Sequence, residues 1–327
     1  MKIAVRLAFL AGAVAMIALI AREGVSAILT PLYHAGFVLL WLVPFHAAPL
    51  LLDVLGWHNL LLRKARVTTL FWIASVREAL NRLLPVANIG GEIVGIRLLA
   101  HSGVDGTVAA ASVIVETLLT IVSVYLFVAI GVVCLLQMTG TTQLTRYFLI
   151  ALVMTLPLIA LIATVLRYGS LFTRLKQFAE KLCGDRLQTL QLPGKLASLD
   201  TEIGSLLAAA PRLTRSALWQ LAGLIAGSGE TWLALRWLGH PVSPTAALVL
   251  ESLTQAARHF IFLVPAGIGV QEGVLVSVGH LLGVGSDLAL ALSLAKRMRE
   301  LLFGLPVLLA WWWTEAKRHY YDASSGV

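Results

Sequence analysis

The chain has 327 residues, of which 58% are hydrophobic and only 13% charged, with a mean hydropathy of +0.86. An ordinary soluble domain carries about 25% charged residues, so water is excluded as the main solvent for this surface, and a soluble enzyme is excluded with it. The net charge of +8 lies between the apolar runs, where Lys and Arg set orientation and meet anionic headgroups; this distribution argues against nucleic acid as a partner.

A helix needs about 20 apolar residues to cross about 30 Å of hydrocarbon. The runs 3–21, 35–57, 107–136, 147–166, 216–237 and 287–313 meet that length. Lys2 and Arg6 lie at the start of the first run, no A-x-A cleavage site follows it, and further apolar runs lie downstream. The expectation is therefore a retained transmembrane helix rather than a signal peptide. By the positive-inside rule the N-terminus is cytoplasmic, Arg22 and Glu23 lie outside, and the basic cluster Arg63, Lys64 and Arg66 is inside again.

Residues 67–104 read as a hairpin broken by LPVANIGGE at 84–92. The run 107–136 exits to the uncharged TGTTQLT at 139–145, and 147–166 returns to the linker 167–215. That linker carries Arg167, Arg174, Lys176, Lys181, Arg186, Lys195, Arg212 and Arg215 against Glu180, Asp185, Asp200 and Glu202. The basic excess puts it in the cytoplasm, and its leucine spacing suggests an amphipathic helix on the membrane surface or a plain solvated linker. The run 216–237 exits to GHPVSP, a second broken hairpin covers 245–284, and the last span ends at Glu315, Lys317 and Arg318, inside.

The two breaks resemble each other. Pro85 and Glu92 are spaced as Pro265 and Glu272 are in VPAGIGVQEG at 264–273; Gly103 and Gly283 follow, then Asp105 and Asp287. Pro removes a backbone donor and Gly loosens a helix, and in hydrocarbon the freed polar groups must face protein or water. Two re-entrant hairpins lining a cavity are the expectation; two full spans with Pro/Gly kinks are the alternative. The first motif is entered from the cytoplasm and the second from outside, as in inverted-repeat transporters.

The expected fold is an all-α polytopic membrane protein, N-in and C-in. It has about six full spans plus two re-entrant hairpins in an inverted-topology repeat. Its parts are an N-terminal transmembrane hairpin (1–66), a first repeat of a hairpin plus two spans (67–166), a cytoplasmic amphipathic linker (167–215), a second repeat (216–313) and a cytoplasmic tail (314–327).

Charges inside apolar segments each cost about 2.5–3.5 kcal/mol at mid-helix on insertion scales, so they mark a partner or a wet cavity. The candidates for headgroup binding or coupling are Arg77, Glu92, Arg97, Glu116, Glu230, Arg258, Glu272 and Arg297. Arg97 or Arg77 is the expected partner of Glu92, and Arg258 or Arg297 that of Glu272. An arginine fork suits phosphate or carboxylate; the alternative is a set of structural intramembrane salt bridges. GEIVG (91–95), GLIAG (223–227) and GHLLG (279–283) permit close helix approach. Trp311, Trp312 and Trp313 read as an interfacial anchor. Cys134 and Cys183 form no CxxC pair, and the eight histidines show no metal-ligand spacing. No metal, cofactor or catalytic motif is expected.

LPVANIGGE, AAASVIVE (109–116), GETWLAL (229–235), VLESLTQAARHF (249–260), VPAGIGVQEG and KRMRELLFGLP (296–306) carry a resemblance to a known family. The chain resembles the flippase-like integral membrane proteins named after the transmembrane region of lysylphosphatidylglycerol synthase, and within them the hopanoid-biosynthesis-associated membrane proteins. The resemblance implies an ATP-independent lipid flippase of the bacterial inner membrane, acting on a hopanoid-related, anionic or glycosylated lipid. The full synthases carry a soluble lysine-transferring domain that has no counterpart in these residues, so the resemblance implies no enzyme. Membrane lipids are the expected partners, with lipid-biosynthesis enzymes and a homo-oligomer open. A membrane scaffold docking such enzymes through the basic linker is the alternative reading, and an intramembrane enzyme using Glu92 or Glu272 as acid or base is a third.

Overall fold

The computed structural model describes residues 17–19, 21–62, 64–84, 90–168, 192–260 and 268–324. The first apolar run up to residue 16, both motif prolines at 85 and 265, and the linker stretch 169–191 with Cys183 lie outside the described residues. The described residues are almost all helical, without a strand among them. In hydrocarbon a helix satisfies its own backbone, which is why an apolar chain of this kind adopts nothing else.

Helix α1 (Val25–Ala35) leads through a 3-10 turn (Gly36–Trp41) into α2 (Leu42–Leu60). Helix α1 occupies residues between the first two apolar runs of the sequence. The chain turns at Gly36, whose φ of +58° is open to glycine at little cost. Helices α3 (Val67–Leu83), α4 (Gly90–His101), α5 (Gly106–Thr139) and α6 (Gln143–Tyr168) follow. After them come α7 (Leu192–Ala208), α8 (Ala210–Trp237), α9 (Pro244–Phe260), α10 (Val270–Leu281) and α11 (Ser286–Ser324).

Among the described residues, three helical stretches are long and apolar enough to cross a membrane, Val25–Leu60, Gly106–Thr139 and Gln143–Ile162. Helices α8 and α11 have comparable length but carry the charges that the bundle turns inward.

The two motif regions take the same local form. A 17-residue helix (α3, α9) is followed after the break by a 12-residue helix (α4, α10) and then by a long one (α5, α11). The turn into each long helix is made by Gly103 (φ +95°) and Gly283 (φ +77°), in the left-handed region that favours glycine. Asp105 caps α5, accepting from the N–H groups of Thr107 (2.8 Å) and Val108 (3.2 Å), the expected use of an aspartate at a helix start.

The main core packs α5, α8, α9, α10 and α11 around Val128, Leu135, Leu235, Leu253, Val278 and Leu292. A second cluster holds α2, α3, α4 and the start of α5 around Trp57, Ile73, Leu99 and Val113. Between α2 and α8 the contact is close because glycine leaves room: Gly56 lies against the Ser216 backbone, and Ser216 Oγ donates to the Gly56 carbonyl (2.9 Å). Small residues and interhelical hydrogen bonds are what bind helices where lipid removes the hydrophobic drive.

The linker's helix differs from a surface helix. Leu199, Ile203, Leu206 and Leu207 of α7 pack on Leu60, Ala111, Val115 and Leu118. A leucine stripe is the same for a lipid surface and for a protein groove, so the spacing alone could not choose. By contrast α6 leaves Ile150, Val153 and Met154 exposed, and Trp312 and Trp313 near the end of α11 are exposed as an interfacial anchor requires.

Candidate functional site

Two connected groups of charge lie inside the bundle. The first surrounds Arg77 on α3. Its Nη2 donates to Glu116 Oε2 on α5 (2.7 Å) and also to Glu92 on α4, while its guanidinium lies 4.9 Å from the centre of the Trp57 ring. Arg77 and Glu116 are buried; Glu92 is partly open. Glu92 is the third residue of α4, where a carboxylate is favoured by the free N–H groups and the helix dipole. Asn81, one turn beyond Arg77 on α3, ties α4 down: its Oδ1 accepts the Gly91 N–H at 3.0 Å and its Nδ2 reaches Glu92.

Gly91 and Gly95 make that approach available. A Cβ on Gly91 would lie 2.6 Å from the Arg77 carbonyl, and one on Gly95 would lie 2.6 Å from Arg77 Cδ. The GEIVG stripe therefore does what small-xxx-small spacing predicts, with the buried arginine itself as the opposing surface.

The second group is larger. His46 on α2 is 2.8 Å from Glu78 on α3 and 3.4 Å from Glu230 on α8. Arg299 on α11 reaches Glu230 (2.8 Å) and Glu78 (3.6 Å). Arg82 on α3 and Arg258 on α9 share Glu300 on α11, at 3.5 and 3.2 Å. The line continues through hydrogen bonds. Arg258 Nη1 donates to Gln271 Oε1 (2.8 Å), Gln271 Nε2 to Ser293 Oγ (2.9 Å), and Ser293 Oγ to Glu272 Oε1 (2.8 Å). Glu272 also receives Arg297 Nε (2.9 Å) and the Gly269 N–H (2.7 Å). Lys296 pairs with Glu251, which further accepts from Thr231 Oγ1 (2.6 Å). The groups adjoin at Arg77 and Glu78, neighbours in sequence pointing to different sides of α3.

A low-dielectric interior makes each unpaired charge costly, and a mesh of this kind spreads one charge over several partners. It also leaves donors and acceptors that an entering polar group can engage by exchange rather than by creating an orphan. Among the described residues no cluster of His, Cys, Asp and Glu could hold a metal ion.

The family model for the lysylphosphatidylglycerol synthase TM region matches residues 3–307. The chain belongs to that family. It is thus a membrane protein of a family tied to lipid modification or transport. No curated protein and no solved structure matches the chain.

Against this family member's structure the sequence-derived candidates sort as follows. Arg77, Glu92 and Glu116 come together; Glu230, Arg258, Glu272 and Arg297 lie in the second group. Of the bases expected beside Glu92, Arg77 is there and Arg97 is not. Arg97 pairs instead with Glu315 on α11, its side chain 53% exposed. Five residues after Glu92 on a helix of about 100° per residue, Arg97 points about 140° away from it. Beside Glu272, Arg297 is the direct partner, while Arg258 reaches it through Gln271 and Ser293.

Sequence reasoning missed two groups on α2. His46 joins Glu78 to Glu230. Asp53 forms no ion pair among the described residues, yet its ionisable neighbours are Glu116, Glu78, His46 and Arg77. Gly223 of α8 gives it room, since a Cβ there would meet Asp53 Oδ1 at 2.6 Å. The signal was present: both are polar residues in an apolar run, the same criterion that found Arg77.

Proposed function

We propose that this protein is an ATP-independent, flippase-like translocase that moves a lipid across the bacterial inner membrane. The observation that carries the reading is the pairing of two motif helices. Each is 12 residues long and presents a carboxylate, Glu92 or Glu272, at its third position to an arginine inside the bundle. A 12-residue helix rises about 18 Å, well short of a span, which supports re-entrant hairpins over kinked full spans. Basic clusters between the apolar runs support termini on the inside, opposite orientation of the two motif units and about six full spans around them. The halves are joined by Arg82–Glu300 and Glu78–Arg299, pairs that can exchange partners if the units rock.

The lipid's polar head would travel along the charged seam while its chains stay in the bilayer. The six quoted motifs favour the hopanoid-associated branch, hence a hopanoid-related, anionic or glycosylated lipid, with lipid-biosynthesis enzymes or a second copy of the chain as further partners. The purified protein in protein-only liposomes should equilibrate a fluorescent anionic lipid between leaflets, without ATP, well above the rate of empty vesicles. No acceleration for any lipid class under any ion gradient would overturn the reading and favour the scaffold, and chemical conversion of the lipid would favour an intramembrane enzyme.

A further inference from the structure

The two motif helices are alike in length and position but are not held alike. Helix α10 is interlocked with its surroundings. Gln271, Glu272, Leu275 and Val278 are all buried, and the two apolar ones belong to the main core. Helix α4 buries Gly91, Gly95 and Leu99, one stripe along its length. Two of those three positions have no side chain, and Leu99 enters the second core cluster with Ile96 and Leu98 only partly buried against it. Its opposite face carries Ile93, 63% exposed.

Polar ties hold both ends of α4. Near its start Gly91 bonds Asn81 and Glu92 bonds Arg77. Near its end Arg97 bonds Glu315, joining α4 to the far end of α11 across 218 positions of sequence. In lipid, association rests on close packing and hydrogen bonds rather than on a hydrophobic drive. A face with glycine at two of its three buried positions can tilt once its polar ties are released. A partly exposed ion pair is typically worth 0.2–1 kcal/mol, small enough to open thermally and large enough to bias a position.

Directly behind α4 lies Arg77. If α4 moves outward, Glu92 leaves with it, and Arg77 keeps Glu116 alone. One side of a buried guanidinium then faces the path by which a headgroup would enter from the bilayer. From these contacts we propose that α4 is a lateral gate over the Arg77–Glu116 site and that Arg97–Glu315 is its latch. The gating role rests on the translocase reading, whereas the latch itself does not.

The test has two arms. In nanodiscs, hydrogen–deuterium exchange of the α4 amides should rise up to about fivefold in Arg97→Glu and in Glu315→Arg, the scale set by 1 kcal/mol. It should return toward the wild-type rate in the double charge swap, with α10 unchanged throughout. Arg97→Gln serves as a milder variant should reversal impair folding. Unchanged α4 exchange, or a double swap that rescues nothing, overturns the latch.

The second arm ties the latch shut. Arg97→Cys with Glu315→Cys, in a background of Cys134→Ser and Cys183→Ser, should lose lipid movement on oxidation and regain it with reductant. Undiminished movement through the cross-linked protein overturns the gate. If the wild type moves no lipid at all, the translocase reading and the gating role fall together while the exchange arm still decides the latch.

Discussion

Glu272 meets Arg297 within a mesh that supplies several bases, whereas around Glu92 one guanidinium serves two carboxylates. A third carboxylate, Asp53, stands beside them without an ion pair among the described residues. The two regions descend from the same local pattern of helix, break, short helix and long helix, so the difference is not one of architecture. It is one of what each short helix presses against: a mesh of paired charge on α9 and α11 in one case, a single arginine on α3 in the other. A balanced mesh holds a position, and a guanidinium shared between carboxylates is ready to trade one of them.

Charge removal should separate the two most strongly. Glu230→Gln strips Arg299 of its nearest acid and His46 of one of two, leaving Glu78 alone to serve both buried bases, at a cost of about 3–5 kcal/mol. Its expected result is loss of the monodisperse peak in detergent chromatography. Glu92→Gln leaves Arg77 bonded to Glu116, a loss of about 1.5–3 kcal/mol for a charged hydrogen bond; that variant should fold and fail to move lipid. Equal damage from both would erase the distinction between a holding network and an exchanging one.

A smaller effect probes the packing of the short helices. Gly91→Ala would press a methyl into the Arg77 carbonyl, 2.6 Å away, while Gly279→Ala on α10 meets its nearest atoms at 3.5 Å. The first should cost about 1–3 kcal/mol as overpacking, the second less than about 1 kcal/mol as an ordinary contact with helix propensity in its favour. Thermal unfolding in detergent ranks them, and the reverse order would mean that α4 does not rest on α3 as described.

The smallest shift is expected at Asp53. Asp53→Asn removes a buried carboxylate that forms no ion pair among the described residues, so the midpoint of unfolding should stay level or rise, against the usual loss on mutation. A clear fall would reveal a partner for Asp53 and make the first group as balanced as the second.

Much of this was legible without coordinates. Composition and run length lead to a helical membrane protein because hydrocarbon leaves the backbone few other ways to satisfy itself. The matched glycines at 103 and 283 expose the repeated turn because only glycine takes that φ cheaply. Buried charges announce themselves by their cost, and the same cost would have flagged His46 and Asp53 had the rule been applied to the 35–57 run as it was to later ones. Which charge meets which was not legible. Whether Arg97 faces Glu92 or Glu315, and whether the leucines of α7 face lipid or protein, depends on helix rotation and on neighbours far away in the chain. A sequence specifies that a charge in hydrocarbon must be paired; only the packed bundle decides with what, because the partners arrive on separate helices whose mutual rotation is set by small residues at their contacts.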